Sequence, residues 1–107
     1  MTVLIVVPVF NEAETVGHVV EAAREYGPVL VVDDGSRDGS GEVARRAGAE
    51  VIRHAQRRGK GAALRTGIAA ARERGAAAVV TLDGDGQHRP SDLGLVLAAA
   101  RGGAGRS

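Results

Sequence analysis

The 107-residue sequence has no cysteine. This excludes disulfides, thiol nucleophiles and thiolate metal sites, and fits a reducing compartment. Tryptophan is absent, and phenylalanine and tyrosine occur once each, so a core has to come from Val, Leu, Ile and Ala. Neither sign of charge prevails. A formal net charge of +1 argues against a dedicated nucleic-acid binder, which carries a strong basic excess. No apolar run approaches the roughly 18 residues that span a bilayer. The start, Met1-Thr2-Val3-Leu4-Ile5-Val6-Val7, lacks a basic leader and is cut short by Pro8. It reads as a strand and not as a signal peptide. A single cytoplasmic domain over residues 1–100 is expected, followed by a flexible tail, Arg101–Ser107, with three glycines.

What is present is an alternation of apolar runs and helical stripes. Val3–Val7 is continuous and β-branched, which suits a strand buried on both faces. Val16, Val19, Val20 and Ala23 then recur at helical spacing, and Gly27-Pro28 ends that helix. Val29–Val32 is a second strand. A short stripe, Val43, Ala44 and Ala47, closes at Gly48, and Glu50–Arg53 is a brief third strand. An alanine-rich helix is predicted from about Ala62 to Arg74, and a fourth strand over Ala77–Leu82. Ser91 or Asp92 would cap a last helix with Leu93, Val96, Leu97 and Ala100 on one face. Such an order predicts an α/β fold. Its centre is a Rossmann-like open parallel sheet of about four strands with helices on both faces. The first strand should be central, with the second and third on one side and the fourth on the other.

In such sheets ligands bind beyond the carboxyl ends of the strands. Three polar clusters follow strands: Pro8-Val9-Phe10-Asn11-Glu12, Asp33-Asp34-Gly35-Ser36, and Asp83-Gly84-Asp85-Gly86-Gln87-His88. All three are therefore expected on one rim. Asp83 and Asp85, two residues apart in an extended segment, point the same way and can share a cation. Their hard oxygens, with the carbonyl of Gln87, favour Mg²⁺ or Mn²⁺ over zinc. The plainer reading is a glycine-rich turn with solvated acids.

Asp33 or Asp34 can accept hydrogen bonds from a base or ribose, or merely shape a turn that Ser36 or Asp38 finishes as a helix cap. Phe10 offers a ring to a base. Asn11 with Glu14 makes a fair capping box, a role compatible with ligand binding. Arg57-Arg58-Gly59-Lys60-Gly61 puts two glycines and Lys60 before a helix, suited to phosphate oxygens. It is neither a Walker A loop nor a G-x-G-x-x-G fingerprint, and a solvated basic loop is its alternative. His18 and His54 read as surface positions.

The ordered set P-V-F-N-E, V-D-D-G-S-x-D-G, R-G-K-G and L-D-G-D-G-Q-H-x-P resembles the family 2 glycosyltransferases. Within them it resembles the dolichyl-phosphate mannosyltransferase and polyprenyl-phosphate sugar transferase branch. The resemblance spans Val3 to about Pro90 and implies the N-terminal half of a GT-A nucleotide-diphospho-sugar transferase fold. It implies that Pro8, Phe10 and Glu12 line the nucleoside pocket and that Asp33 or Asp34 contacts the base or ribose. Asp83, Asp85 and Gln87 would hold Mg²⁺ or Mn²⁺ against the donor diphosphate, with Asp83 and Lys60 also on the nucleotide. The implied reaction inverts the anomeric carbon, with a nucleotide-diphospho-sugar donor and an acceptor such as a polyprenyl phosphate.

Two features depart from the pattern. Arg57 stands where the family often has Asn. Family members are also much longer, so this chain is expected to lack the acceptor half, and no catalytic base can be named in it. A longer parent would work at the membrane face. The competing expectation is a truncated, non-catalytic nucleotide-binding module that self-associates through an uncovered sheet edge beside the fourth strand. A phosphotransfer receiver domain is a third reading, disfavoured by the order Asp-Gly-Asp-Gly-Gln-His.

Overall fold

A computed structural model describes residues 2–82 together with the backbone of residues 94–97. The elements are β1 (Val3–Val9), α1 (Val16–Ala23), β2 (Val29–Asp33), α2 (Ser40–Ala47), β3 (Glu50–Arg53), α3 (Lys60–Glu73), β4 (Ala78–Thr81) and β5 (Gly94–Leu97). They form one sheet in the order β3-β2-β1-β4-β5. The β1–β2, β1–β4 and β2–β3 pairs are parallel, and β5 runs antiparallel to β4. The expected four-stranded parallel sheet with β1 at its centre is therefore present.

β1 and β2 read as unbroken apolar runs because helices cover both faces of the sheet. On one face Ile5, Val7, Val9, Val29 and Val31 pack with Val16, Val19, Val20 and Ala23 of α1 and Ala44 of α2. On the other, Leu4, Val6, Leu30 and Val32 pack with Ala63, Ala70 and Ala71 of α3. This division follows the two-residue alternation of a strand. Each fully buried Val or Leu is worth about 1.5–3 kcal/mol, which is how a core almost without aromatics is held. α3 lies close to β1: a Cβ on Gly67 would fall 2.3 Å from Val6 Cγ1.

Two local expectations are corrected. Gly94–Leu97 is a strand, paired to β4 with Val79 opposite Val96 and Val80 opposite Leu95. The expected helix through Val96 and Leu97 is not formed there. Periodicity does not separate a strand from a helix in so short an apolar run, and β4's outer edge offers backbone groups that this segment satisfies. The same pairing covers the edge of β4 that was expected to be open for self-association. Ser91, Asp92, Leu93, Ala100 and the tail Arg101–Ser107 lie outside the described residues.

The second correction concerns the start of α1. No capping box forms between Asn11 and Glu14. α1 begins at Val16 after Thr15, without a side-chain cap, and the Glu12 carbonyl accepts the N–H groups of Thr15 and Val16. Asn11 instead adopts a left-handed φ of 54° and turns toward the loop after β2.

Candidate functional site

The carboxyl ends of the parallel strands share one rim. Pro8 is the first constraint there. Ile5 donates to the Pro28 carbonyl, so alternation turns the N–H groups of residues 5, 7 and 9 toward β2 and the Pro8 nitrogen toward β4. Pairing with β4 stops at Val6–Thr81, so the missing N–H of Pro8 costs no ladder bond. The chain then leaves the sheet through Phe10, Asn11 and Glu12.

That loop is zipped to the loop after β2. Three successive backbone N–H groups donate across the gap: Asn11 to Ser36 Oγ at 2.8 Å, Glu12 to Ser40 Oγ at 2.7 Å, and Ala13 to Asp38 Oδ2 at 3.0 Å. The Arg37 N–H returns a bond to Asn11 Oδ1 at 2.9 Å. Asp38 also accepts the backbone N–H of Ser40 at 3.0 Å, which holds the first residue of α2. Ser36 and Ser40 are buried, so these bonds satisfy backbone donors that the bend would otherwise orphan.

Asp33 and Asp34, adjacent in sequence, face opposite sides of the sheet as strand alternation requires. Asp33 is fully buried. Its Oδ1 accepts the Ser36 N–H at 2.9 Å, and its Oδ2 accepts Arg53 Nη1 at 2.7 Å. Arg53 also donates from Nη2 to the Ser36 carbonyl at 2.7 Å. This carboxylate braces the turn after β2.

Asp34 faces the basic loop. Its Oδ1 accepts His54 Nδ1–H at 2.7 Å and the Arg58 N–H at 2.8 Å, and its Oδ2 accepts the Gly59 N–H at 2.8 Å. Burial by itself would push the Asp34 carboxyl up. Hydrogen bonds from His54, Arg58 and Gly59, together with attraction to His54, outweigh it and hold the group below the ordinary 3.8. A carboxylate offers about four acceptor positions, and three are taken by these described residues. The loop's Arg58 and Gly59 amides thus bind the chain's own carboxylate, and Lys60 follows as the exposed first residue of α3.

His54 is not at the surface, as its sequence context suggested: it is only 7% exposed. The ring spans Asp34 on one side and Thr66 Oγ1 of α3 on the other, at 2.8 Å from Nε2. Since the ionised carboxylate can only accept, Nδ1 carries a proton, and Nε2 is hydrogen-bonded to the Thr66 hydroxyl. His18, in contrast, is exposed, as expected. Applying the strand-end rule to β3 as well as to its neighbours would have singled out His54, the residue after Arg53.

Over this assembly Arg57 lies across the Phe10 ring, its guanidinium carbon 4.1 Å from the centroid, a cation–π contact. Gly35 makes the approach of the two loops feasible. Its φ is +83°, and a Cβ there would meet the Arg57 nitrogen at 2.8 Å. Phe10, the buried Asp34 and the loop from Gln56 to Gly59 therefore form one connected cluster, with Glu12 joined to it through Phe10: the Phe10 N–H lies 3.4 Å from Glu12 Oε1. Asp83, Asp85 and Gln87 lie outside the described residues. The chain approaches them from Leu82, whose N–H donates to the Val6 carbonyl at 3.1 Å.

An open sheet with four parallel strands and interlocked loops at their carboxyl rim defines a Rossmann-like class of domain. Residues 4–105 match the family described as Glycosyl transferase family 2, and the chain belongs to that family. It is 38% identical over 110 residues to the undecaprenyl-phosphate mannosyltransferase of Micrococcus luteus, covering 94% of this chain and 45% of that protein. It is 31% identical over 114 residues to the UDP-N-acetylglucosamine–dolichyl-phosphate N-acetylglucosaminyltransferase of Methanococcus voltae, with 89% and 45% covered. The chain thus spans under half the length of either relative. Among solved structures it resembles glucosyl-3-phosphoglycerate synthase of Mycobacterium tuberculosis in complex with Mn²⁺, UDP-glucose and phosphoglyceric acid. The TM-score is 0.68 and the identity 29%, with 78% of this chain and 33% of that one covered. The fold is of the GT-A type.

Proposed function

We propose that this chain supplies the donor and metal site of an inverting glycosyltransferase. Its donor would be a nucleotide-diphospho-sugar and its acceptor a polyprenyl phosphate. The observation that carries this reading is the joining of the Phe10, Asp34 and Arg57–Lys60 segments on one rim by bonds between them, in a chain whose relatives include enzymes named for polyprenyl-phosphate sugar transfer.

In this reading Phe10 and Pro8 form the apolar floor for the nucleoside, with Glu12 at its edge. Asp34 offers its remaining acceptor position to a base N–H or ribose hydroxyl. Asp33, fully buried and spent on Arg53 and Ser36, braces the turn. Lys60, at the start of α3, faces donor phosphate charge with the help of the helix N-terminus. Asp83, Asp85 and Gln87 provide an all-oxygen donor set suited to Mg²⁺ or Mn²⁺, and glucosyl-3-phosphoglycerate synthase has been crystallised with either ion and UDP. A cation held there would neutralise the charge developing on the nucleoside diphosphate as it leaves. In the displacement, an acceptor oxygen forms its bond to the anomeric carbon on the face opposite the breaking bond to diphosphate. An anionic phosphate acceptor needs no proton removed.

Calorimetric titration of the chain with UDP, GDP and their sugars, with and without Mn²⁺, tests the reading. Metal-dependent heat that is lost in the Asp83→Ala/Asp85→Ala double variant supports it; no heat with any of these ligands overturns it. Binding without transfer to a polyprenyl phosphate would favour the narrower role of a nucleotide-binding module.

A further inference from the structure

We infer that His54 is the positioning residue of the donor site, an inference that rests on the donor-site reading above. The imidazole is buried and joins three elements. It follows β3, donates to Asp34 at the end of β2, and meets Thr66 on α3. No polar atom of the ring is left over for a ligand, so its effect is exerted through Asp34.

Asp34 passes this constraint on. Its Oδ1 is shared between His54 and the Arg58 amide, and its Oδ2 holds the Gly59 amide. Those two amides set the path of the loop that places Arg57 on Phe10 and leads into Lys60. Without a donor at the Nδ1 position, the Oδ1 oxygen loses one of its two partners and the carboxylate is free to rotate away from the loop amides. The bond between Thr66 and Nε2 fixes the ring plane, so the orientation of Asp34 is referred to α3, the helix that packs on β1 and β2. A surface histidine would do none of this.

The geometry separates three substitutions. Asn at position 54 can put its amide N–H near the Nδ1 position and keep the bond to Asp34. Gln reaches toward the Nε2 position and Thr66 instead. Phe fills the space without either bond. The measurements are amide hydrogen exchange at Arg58 and Gly59, and calorimetric affinity for UDP and GDP with Mn²⁺, each beside a thermal melt.

His54→Phe and His54→Gln should speed exchange at both amides and weaken nucleotide binding by about tenfold, the scale of one charge-assisted hydrogen bond. His54→Asn should stay within about threefold of the parent in both readouts. Unchanged exchange and affinity in a cooperatively melting His54→Phe overturn the inference, as does an Asn variant no better than Gln. The Asn–Gln comparison decides the matter if the Phe variant does not fold. A parent chain that binds neither nucleotide overturns the donor-site reading instead. In that event the exchange rates alone decide whether His54 positions the loop.

Discussion

The backbone N–H of Asn11 donates to Ser36 Oγ at 2.8 Å, 25 positions along the chain. The bond closes the first rim loop onto the second, and Ser36 is 2% exposed, so water cannot readily replace it. Ser36→Ala should lower unfolding free energy by about 1–2 kcal/mol, the cost of leaving a part-buried donor unmade. Urea denaturation at neutral pH measures this, and a loss below a few tenths of a kcal/mol would show that the loops do not depend on the bond.

Asp34 gives the fold an acid-sensitive element. Its folded carboxyl lies below the ordinary 3.8, so the stabilisation it confers is complete above that value and fades as pH falls through the lower folded value. The gap in stability between the parent and Asp34→Asn should therefore be constant from neutral pH down to about pH 5 and narrow below pH 4. Denaturant titrations across that range check it. A gap that widens with acid would contradict the direction of the shift.

Phe10 is half-buried beneath Arg57, and on the proposed function its ring supports the nucleoside. Ring stacking on a base is worth about 1–3 kcal/mol, so Phe10→Ala should weaken UDP or GDP binding by about tenfold or more. The melting temperature should fall by no more than about 8 °C, the shift of roughly 1 kcal/mol in a domain of this size. Equal affinity in the variant would remove Phe10 from the site.

Gly67 in α3 tests the packing of that helix on the sheet. Alanine is the better helix former by about 1 kcal/mol, but its Cβ would lie 2.3 Å from Val6 Cγ1. Overpacking of this kind costs about 1–3 kcal/mol, and a contact this short lies at the upper end. Gly67→Ala should therefore be destabilising by about 1–2 kcal/mol in urea. A more stable variant would mean that α3 stands further from β1 than described.

Much of the framework was legible in the residues themselves. The β-branched runs at Val3–Val7 and Val29–Val32 mark strands covered on both faces, and the right-handed crossover rule then leaves β1 central. The run Gly94–Leu97 was misread because four apolar residues carry no usable period, and its partner, the edge of β4, is remote in sequence. Asn11 was misread for a related reason. Its spacing from Glu14 suits a cap, but Ser36 and the Arg37 amide, both on the next rim loop, hold it instead.

By itself the sequence determined the alternation of strands and helices, the rim on which polar clusters gather, and the family those clusters mark. These follow from local periodicity and from residue types at strand ends. Only the tertiary structure decided what each carboxylate does. Asp33 and Asp34 are indistinguishable as neighbours in a motif, yet alternation sends one to Arg53 and Ser36 and the other to His54, Arg58 and Gly59. Apart from Ser36, these partners lie 20 to 25 residues away and are chosen by how the strands stack, and no local pattern encodes that choice.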